Sequence, residues 1–220
     1  MIKIFKMGKI RDEEIFARFE PTSSVEDIVK GIIARVRAEG DAALRAYSAE
    51  FDHVDIEDFL VSAAEIEAAL AKVEPAFIAV LEEAATNIRA FHSRQVRNSF
   101  ILADKPGVIL GQRVIPLEKV GLYVPGGTAA YPSTVLMDAI PAKIAGVEEI
   151  VMVTPPNKEG SVNPYILAAA HVAGVGRIFK VGGAQAVAAL AYGTASIPRV
   201  DKIVGPGNAF VAEAKKQVFG

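Results

Sequence analysis

Val120-Gly121-Leu122-Tyr123-Val124-Pro125-Gly126-Gly127 opens a pattern that repeats down the chain: an apolar run, a glycine or proline loop, then a stretch that reads as helix. The runs are 120–124, 150–153, 178–181 and 202–204; their loops carry Pro125-Gly126-Gly127, Pro155-Pro156, Gly182-Gly183 and Gly205-Pro206-Gly207. The run starts lie roughly 20–30 residues apart, about the length of one βα unit. Such alternation predicts a parallel sheet with helices on its faces. Ligands of these sheets sit beyond the carboxyl ends of the strands. The glycine-rich loops fall at those ends, so function is sought there.

Within the pattern, Ser133 is expected to cap a helix through Ala145, with Pro141 kinking or breaking it and Gly146 stopping it. Asn163-Pro164 supplies a cap and a first-turn proline for the next helix. Gly182-Gly183-Ala184 leads into a small apolar helix over 185–192, and Asn208 opens a last helix ending near Val218. The alternation stops where a further strand is expected, so the sequence reads as a fragment. Upstream, Asp104-Lys105-Pro106-Gly107 is turn chemistry between 100–102 and 108–117, which predicts a hairpin.

The first hundred residues read as largely helical, after a mixed, charged lead-in over 1–20. Ser23-Ser24-Val25-Glu26 and Ser62-Ala63-Ala64-Glu65 fit capping boxes. Apolar residues at 25, 28, 29, 32, 33 and 36 share one helix face, Gly40 stops that helix, and Asp41 is expected to cap another reaching Phe51. Pro75 suits the first turn of a longer helix, with a stripe of Phe77, Leu81, Ala84, Ala85, Ile88 and Phe91. We therefore divide the chain into 1–118, helices plus hairpin, and 119–220, the alternating unit.

Of the 220 residues, 51% are hydrophobic and 23% charged, enough apolar mass for a sizeable core. A net charge of −2, with no basic run, points away from nucleic acid and anionic membranes. Cysteine is absent, which removes disulfides, thiolate metal sites and a cysteine nucleophile from this chain. The N-terminal residues lack the apolar core of a signal peptide, and no apolar run reaches the roughly 18 residues of a membrane span. The sequence reads as soluble and intracellular.

Glycine lets backbone amides approach a ligand, and helix starts present free N–H groups, so the loops suit phosphate or another anion. Neither G-x-G-x-x-G nor G-x-x-x-x-G-K-[ST] occurs, so the standard dinucleotide and P-loop fingerprints are absent. Tight turns account for these glycines as readily as a ligand does. Polar residues at the strand ends sharpen the case: Tyr123, Thr128, Ser133, Gln185 and Asn208. Each also has a plain structural role, as strand aromatic, first-turn polar residue or, for Asn208, a helix cap worth about 1 kcal/mol. On pattern alone the plain roles weigh at least as much.

His53, His92 and His171 are the only histidines; none pair at metal-ligand spacing, and no zinc site can be assembled from them. The acidic pairs Glu82-Glu83 and Glu148-Glu149, and the run Asp12-Glu13-Glu14, read as solvated faces or helix starts. Binding elements are present; a general base is not evident.

Three long stretches in the same order resemble histidinol dehydrogenase. They are the opening motif with Tyr131-Pro132-Ser133-Thr134-Val135-Leu136-Met137; Val181-Gly182-Gly183-Ala184-Gln185-Ala186-Val187-Ala188 with its continuation to Thr194; and Val200-Asp201-Lys202-Ile203-Val204-Gly205-Pro206-Gly207-Asn208-Ala209-Phe210-Val211. Asn87-Ile88-Arg89-Ala90-Phe91-His92 also looks like the family. The resemblance implies an α/β fold with incomplete Rossmann-like units, similar to aldehyde dehydrogenases. It implies oxidation of L-histidinol through an aldehyde to L-histidine with two NAD, in a zinc-containing cytoplasmic homodimer. It carries NAD contacts onto Tyr123, Gln185 and Asn208. Members of this family are about twice as long, and their zinc ligands, substrate residues and Glu-His acid/base pair fall in the half with no counterpart here. The chain alone is therefore expected to be inactive. Two further readings stay open: a stand-alone nucleotide-binding module without catalysis, and a structural remnant that binds no nucleotide.

Overall fold

The computed structural model describes residues 8–15, 23–126 and 130–219. Most of the lead-in, the side chain of Ser23, and Gly127 and Thr128 lie outside the described residues. In chain order come helices α1 (Asp12–Ile15), α2 (Ser23–Glu39), α3 (Asp41–Tyr47), α4 (Ala63–Leu70) and α5 (Pro75–His92), then the hairpin β1 (Phe100–Lys105) and β2 (Val108–Gln112). The alternating part follows as β3 (Lys119–Tyr123), α6 (Pro132–Ile144), β4 (Glu149–Thr154), α7 (Pro164–Ala173), β5 (Arg177–Lys180), α8 (Gly183–Tyr192), β6 (Lys202–Val204) and α9 (Ala209–Gln217).

The four expected strands form one parallel sheet in the order β5-β4-β3-β6. Side chains alternate across a strand, and here the alternation feeds two separate cores. Val120, Leu122, Ile150, Met152 and Ile178 enter the core beneath α6 and α7, which also holds Leu81 and Ala85 of α5. Tyr123, Val151, Val153 and Phe179 enter the opposite core with α8, α9 and the α2 residues Val29, Ile32, Ile33 and Val36. Of the stripe read from α2, Val29, Ile32, Ile33 and Val36 are buried, packed with α8 and α9, while Ile28 is exposed, as is Phe91 at the end of the α5 stripe.

Several local expectations need correction. Pro132 occupies the first helical position of α6, so the cap position is Tyr131 and Ser133 lies inside the helix. Pro141 does not break α6, which runs on to Ile144. A proline removes the bond to the carbonyl four residues back, here that of Met137, on the solvent-exposed side of the helix. Gly40, not Asp41, holds the cap position of α3. Asp41 instead accepts hydrogen bonds from Ser196 Oγ at 2.6 Å and Ser196 N at 3.3 Å, tying α3 to the loop after α8. That helix ends at Tyr47 and passes into a π-helical turn, Ser48–Asp52. Gly183 is already helical, so α8 starts two residues earlier than expected. The second hairpin strand stops at Gln112 rather than continuing to 117, and every residue of both hairpin strands is exposed.

Other caps form as read. Ser62 and Glu65 make a full capping box, Pro75 starts α5, and Asn163 accepts from Tyr165 N ahead of Pro164. Asn208 accepts from Val211 N at 3.1 Å and caps α9.

Candidate cofactor crevice

Strand order decides where a ligand would sit. From β3 the chain moves outward to β4 and β5, then returns to place β6 on the other side of β3. The order reverses between β3 and β6, and the chain leaves these strands toward opposite faces: α6 into one core, α9 into the other. A crevice at such a switch point is the usual ligand site of an open α/β sheet. Tyr123 ends β3, and Asn208 starts α9 after β6.

Gln185 lies after β5, two strands from β3, yet α8 brings it in. The hydroxyl of Tyr123 accepts the backbone N–H of Gly183 at 3.1 Å. Gln185 packs back onto the same glycine, since a Cβ on Gly183 would stand 2.5 Å from Gln185 Oε1. Gly183 and the buried amide of Gln185 thus share one corner with the Tyr123 ring. Tyr123 is 5% exposed and Gln185 2%, so both are buried. Burial raises the Tyr123 hydroxyl above the ordinary phenol range, with the Gly183 N–H opposing and the charge of Asp52 adding to it. Asn208 is exposed. Its Oδ1 is spent on the cap, which leaves the Nδ2 donor for a ligand.

Gly205 connects the two sides of the crevice. Its φ is +111°, and a Cβ there would collide with the Tyr123 carbonyl. The loop after β6 therefore lies directly on the end of β3. The neighbouring loops are also tight: a Cβ on Gly126 would stand 2.8 Å from the Pro155 ring, and one on Gly182 2.6 Å from it. One proline after β4 touches the glycines that follow β3 and β5.

Beside these loops a cleft of ≈ 470 Å³ opens between Phe51, Asp52, Gly126, Pro155, Asn157 and Ile166. Nothing in the sequence marked Asp52. Burial pushes its carboxyl up to about 6, opposed by His53, and Asp52 Oδ2 is buried without a hydrogen-bond partner among the described residues. Asp138 on α6 is raised to about 6 by burial in the same way, opposed by Lys215. Lys215 Nζ donates to the Gly205 carbonyl at 2.9 Å, a contact that sequence reading also missed.

The histidines do not gather. His53 takes a left-handed conformation at the end of the π-helical turn, and His171 lies exposed in the last turn of α7. His92 Nδ1 pairs with Gln95 Oε1 at 2.7 Å. Among the described residues no group of three or more histidine, aspartate or glutamate side chains could hold a metal ion, so these residues do not fit a zinc centre. No described helix is long and apolar enough to cross a membrane.

Comparison with known proteins bears on the fold and the family. A histidinol dehydrogenase of Listeria monocytogenes serotype 4b is 58% identical over 196 residues, which is 89% of this chain and 46% of the relative. One of Clostridium acetobutylicum is 51% identical over 225 aligned residues, covering all of this chain and 52% of the relative. The crystal structure of histidinol dehydrogenase from Elizabethkingia anophelis superposes with a TM-score of 0.87 at 39% identity, over 91% of this chain and 46% of that one. The chain thus spans about half the length of the curated relatives it matches. The histidinol dehydrogenase family profile matches residues 17–220, and the chain belongs to that family.

Proposed function

We propose that this chain is the cofactor-holding part of an NAD-dependent oxidoreductase of histidine biosynthesis, which oxidises L-histidinol through L-histidinaldehyde to L-histidine. The observation that carries this is the meeting of Tyr123, Gly183 and Gln185 at one end of a switch-point crevice, with Asn208 at the other, in a member of this family. Bound NAD supplies the hydride acceptor. The protein's own part is to bind and orient it. Gln185 offers a buried amide, Asn208 a free Nδ2 donor, and Tyr123 a ring wall fixed by its bond to Gly183. The glycines at 126 and 205 keep the backbone low enough for close approach.

Zinc, the substrate contacts and the proton-transferring groups belong to the remaining half of the family's length. The full-length form is a cytoplasmic homodimer, and residues 1–118 and 119–220 are its helical and sheet portions. By this reading the chain alone holds NAD weakly and does not oxidise histidinol. Titration calorimetry with NAD, beside a zinc-supplied histidinol assay, tests both parts. Histidinol-dependent NADH formation by the chain alone overturns the second part, and a flat NAD titration of the folded protein overturns the first.

A second reading is a stand-alone nucleotide-binding module. It rests on the crevice at the strand ends taken by itself. Restoration of activity by a second polypeptide separates the two.

A further inference from the structure

Asp52 ends the π-helical turn after α3, and the next residue, His53, is the only non-glycine with a positive φ, 57°, among the described residues. A π-turn adds a residue to a helix and recurs at ligand sites. Here it sets two consecutive residues, Phe51 and Asp52, in the wall of the cleft shared with Gly126, Pro155 and Ile166. The Phe51 ring stacks on the buried Tyr47 ring, 5.3 Å away with 9° between the planes, and Arg35 lies over Tyr47 at 5.1 Å. Phe51 is nonetheless 48% exposed. The cleft therefore has a fixed aromatic wall that the core leaves uncovered.

The polar groups around the cleft are mostly spent on their own loops. Asn157 Oδ1 accepts from the N–H groups of Glu159 and Ser161, and its Nδ2 donates to Ser161 Oγ. Asn163 Oδ1 caps α7. Asp52 is different. It is the only carboxylate lining the cleft among the described residues, it forms no ion pair there, and its Oδ2 is buried without a hydrogen-bond partner. Its charge reaches the Tyr123 hydroxyl, which holds Gly183. Gly126 and Pro155 belong both to the cleft and to the packed loops beside Gly182. The cleft thus continues the corner formed by Tyr123, Gly183 and Gln185.

We propose that Asp52 makes this crevice select NAD over its 2′-phosphorylated form. This role rests on the cofactor reading above. The adenine lies against Phe51 and the prolines 155 and 156, since an aromatic base stacks on an exposed ring. The adenosine ribose then meets Asp52, whose carboxylate accepts from its hydroxyls, the part an acidic residue plays toward a 2′-OH in other dinucleotide sites. A 2′-phosphate would instead set about −1.5 to −2 charges against a carboxylate in a partly buried place, where screening is weak. Arginine accommodates that phosphate in NADP sites, and none is among the described residues lining this cleft. Lys158 and His53 stand exposed at its rim.

The test is titration of the chain at pH 7.5, where the Asp52 carboxyl is ionised, followed by amide chemical shifts. The probes are NAD, NADP, 5′-AMP and adenosine 2′,5′-bisphosphate. NAD and 5′-AMP are expected to shift the amides of 51–53 and to bind at least about tenfold more tightly than their 2′-phosphorylated counterparts. Asp52→Asn and, as a second variant, Asp52→Ser remove the charge. Both are expected to shrink that ratio at least about fivefold, through tighter binding of the 2′-phosphorylated probes. An unchanged ratio in both variants overturns the role of Asp52, as does NADP binding to the native chain at least as tightly as NAD. NAD that binds without moving the amides of 51–53 overturns it too, and leaves the cofactor reading standing. A flat NAD titration of the folded chain defeats both.

Discussion

The phenol oxygen of Tyr123 accepts the N–H of Gly183 at 3.1 Å, so the last residue of β3 caps the first turn of α8. A helix start leaves its first N–H groups without intrahelical partners, and this one is paired across the sheet by a side chain whose ring is buried. Tyr123→Phe keeps the ring and removes the acceptor. It is expected to lower stability by about 1 kcal/mol, seen as a lower urea midpoint with an unchanged slope, and to weaken NAD binding through misplacement of Gln185.

Asn208 does two things that one substitution can separate. Asp caps a helix as well as Asn, but it lacks the amide donor and adds a negative charge where the proposed cofactor is anionic. Asn208→Asp is therefore expected to hold its thermal midpoint within a degree or two and to lose about tenfold or more in NAD affinity. Equal affinities by calorimetry would remove Asn208 from the crevice.

Two glycines make opposite forecasts. Gly31 lies inside α2 with open space where a Cβ would go, so Gly31→Ala should stabilise by about 0.5–1 kcal/mol. Gly205 has a positive φ and its Cβ would meet the Tyr123 carbonyl. Gly205→Ala should cost at least about 2 kcal/mol and disturb NAD binding. Chemical denaturation of the pair measures both.

Asp52 gives a pH signature. Its carboxyl rises from 3.8 to about 6 in the folded protein because burial disfavours the charge. A raised folded value contributes stability below the unfolded value, and that contribution is lost as pH rises through the folded one. Asp52→Asn should be neutral near pH 4, gain through the window between 3.8 and about 6, and stabilise by about 1 kcal/mol at pH 7.5, after discounting for solvent screening. Denaturation midpoints at the two pH values check the sign.

The hairpin should govern solution behaviour. Ile101 and Ile109 are 75% and 76% exposed on strands that bury nothing. Apolar surface of this kind drives association. Ile101→Lys with Ile109→Lys is expected to lower the apparent mass in light scattering at equal concentration.

Much of this was legible in the sequence because it is local. The four strands, the Ser62–Glu65 capping box and the Asn163 and Asn208 caps are each set by residues within a few positions of one another. Tyr123, Gln185 and Asn208 were legible as strand-end polar residues; the bond from Gly183 to Tyr123 was not, because it joins residues sixty apart. Asp41 was misread for the same reason, since its partner Ser196 lies 155 residues away. Asp52 carries no local signal, because its shift comes from what buries it. Pro141 misled because its effect depends on which side of the helix carries the freed carbonyl.

Pro155 joins three loops into a single steric unit. Its ring stands against Gly126 on one side and Gly182 on the other, where no Cβ fits. Three positions from three separate loops are thus coupled by steric contact. A side chain at 126 would meet the Pro155 ring, and one at 182 would meet the Pro155 Cβ, an atom that any residue but glycine also carries. The loops around the crevice are therefore held to their present shape by one another, whether or not a ligand is bound.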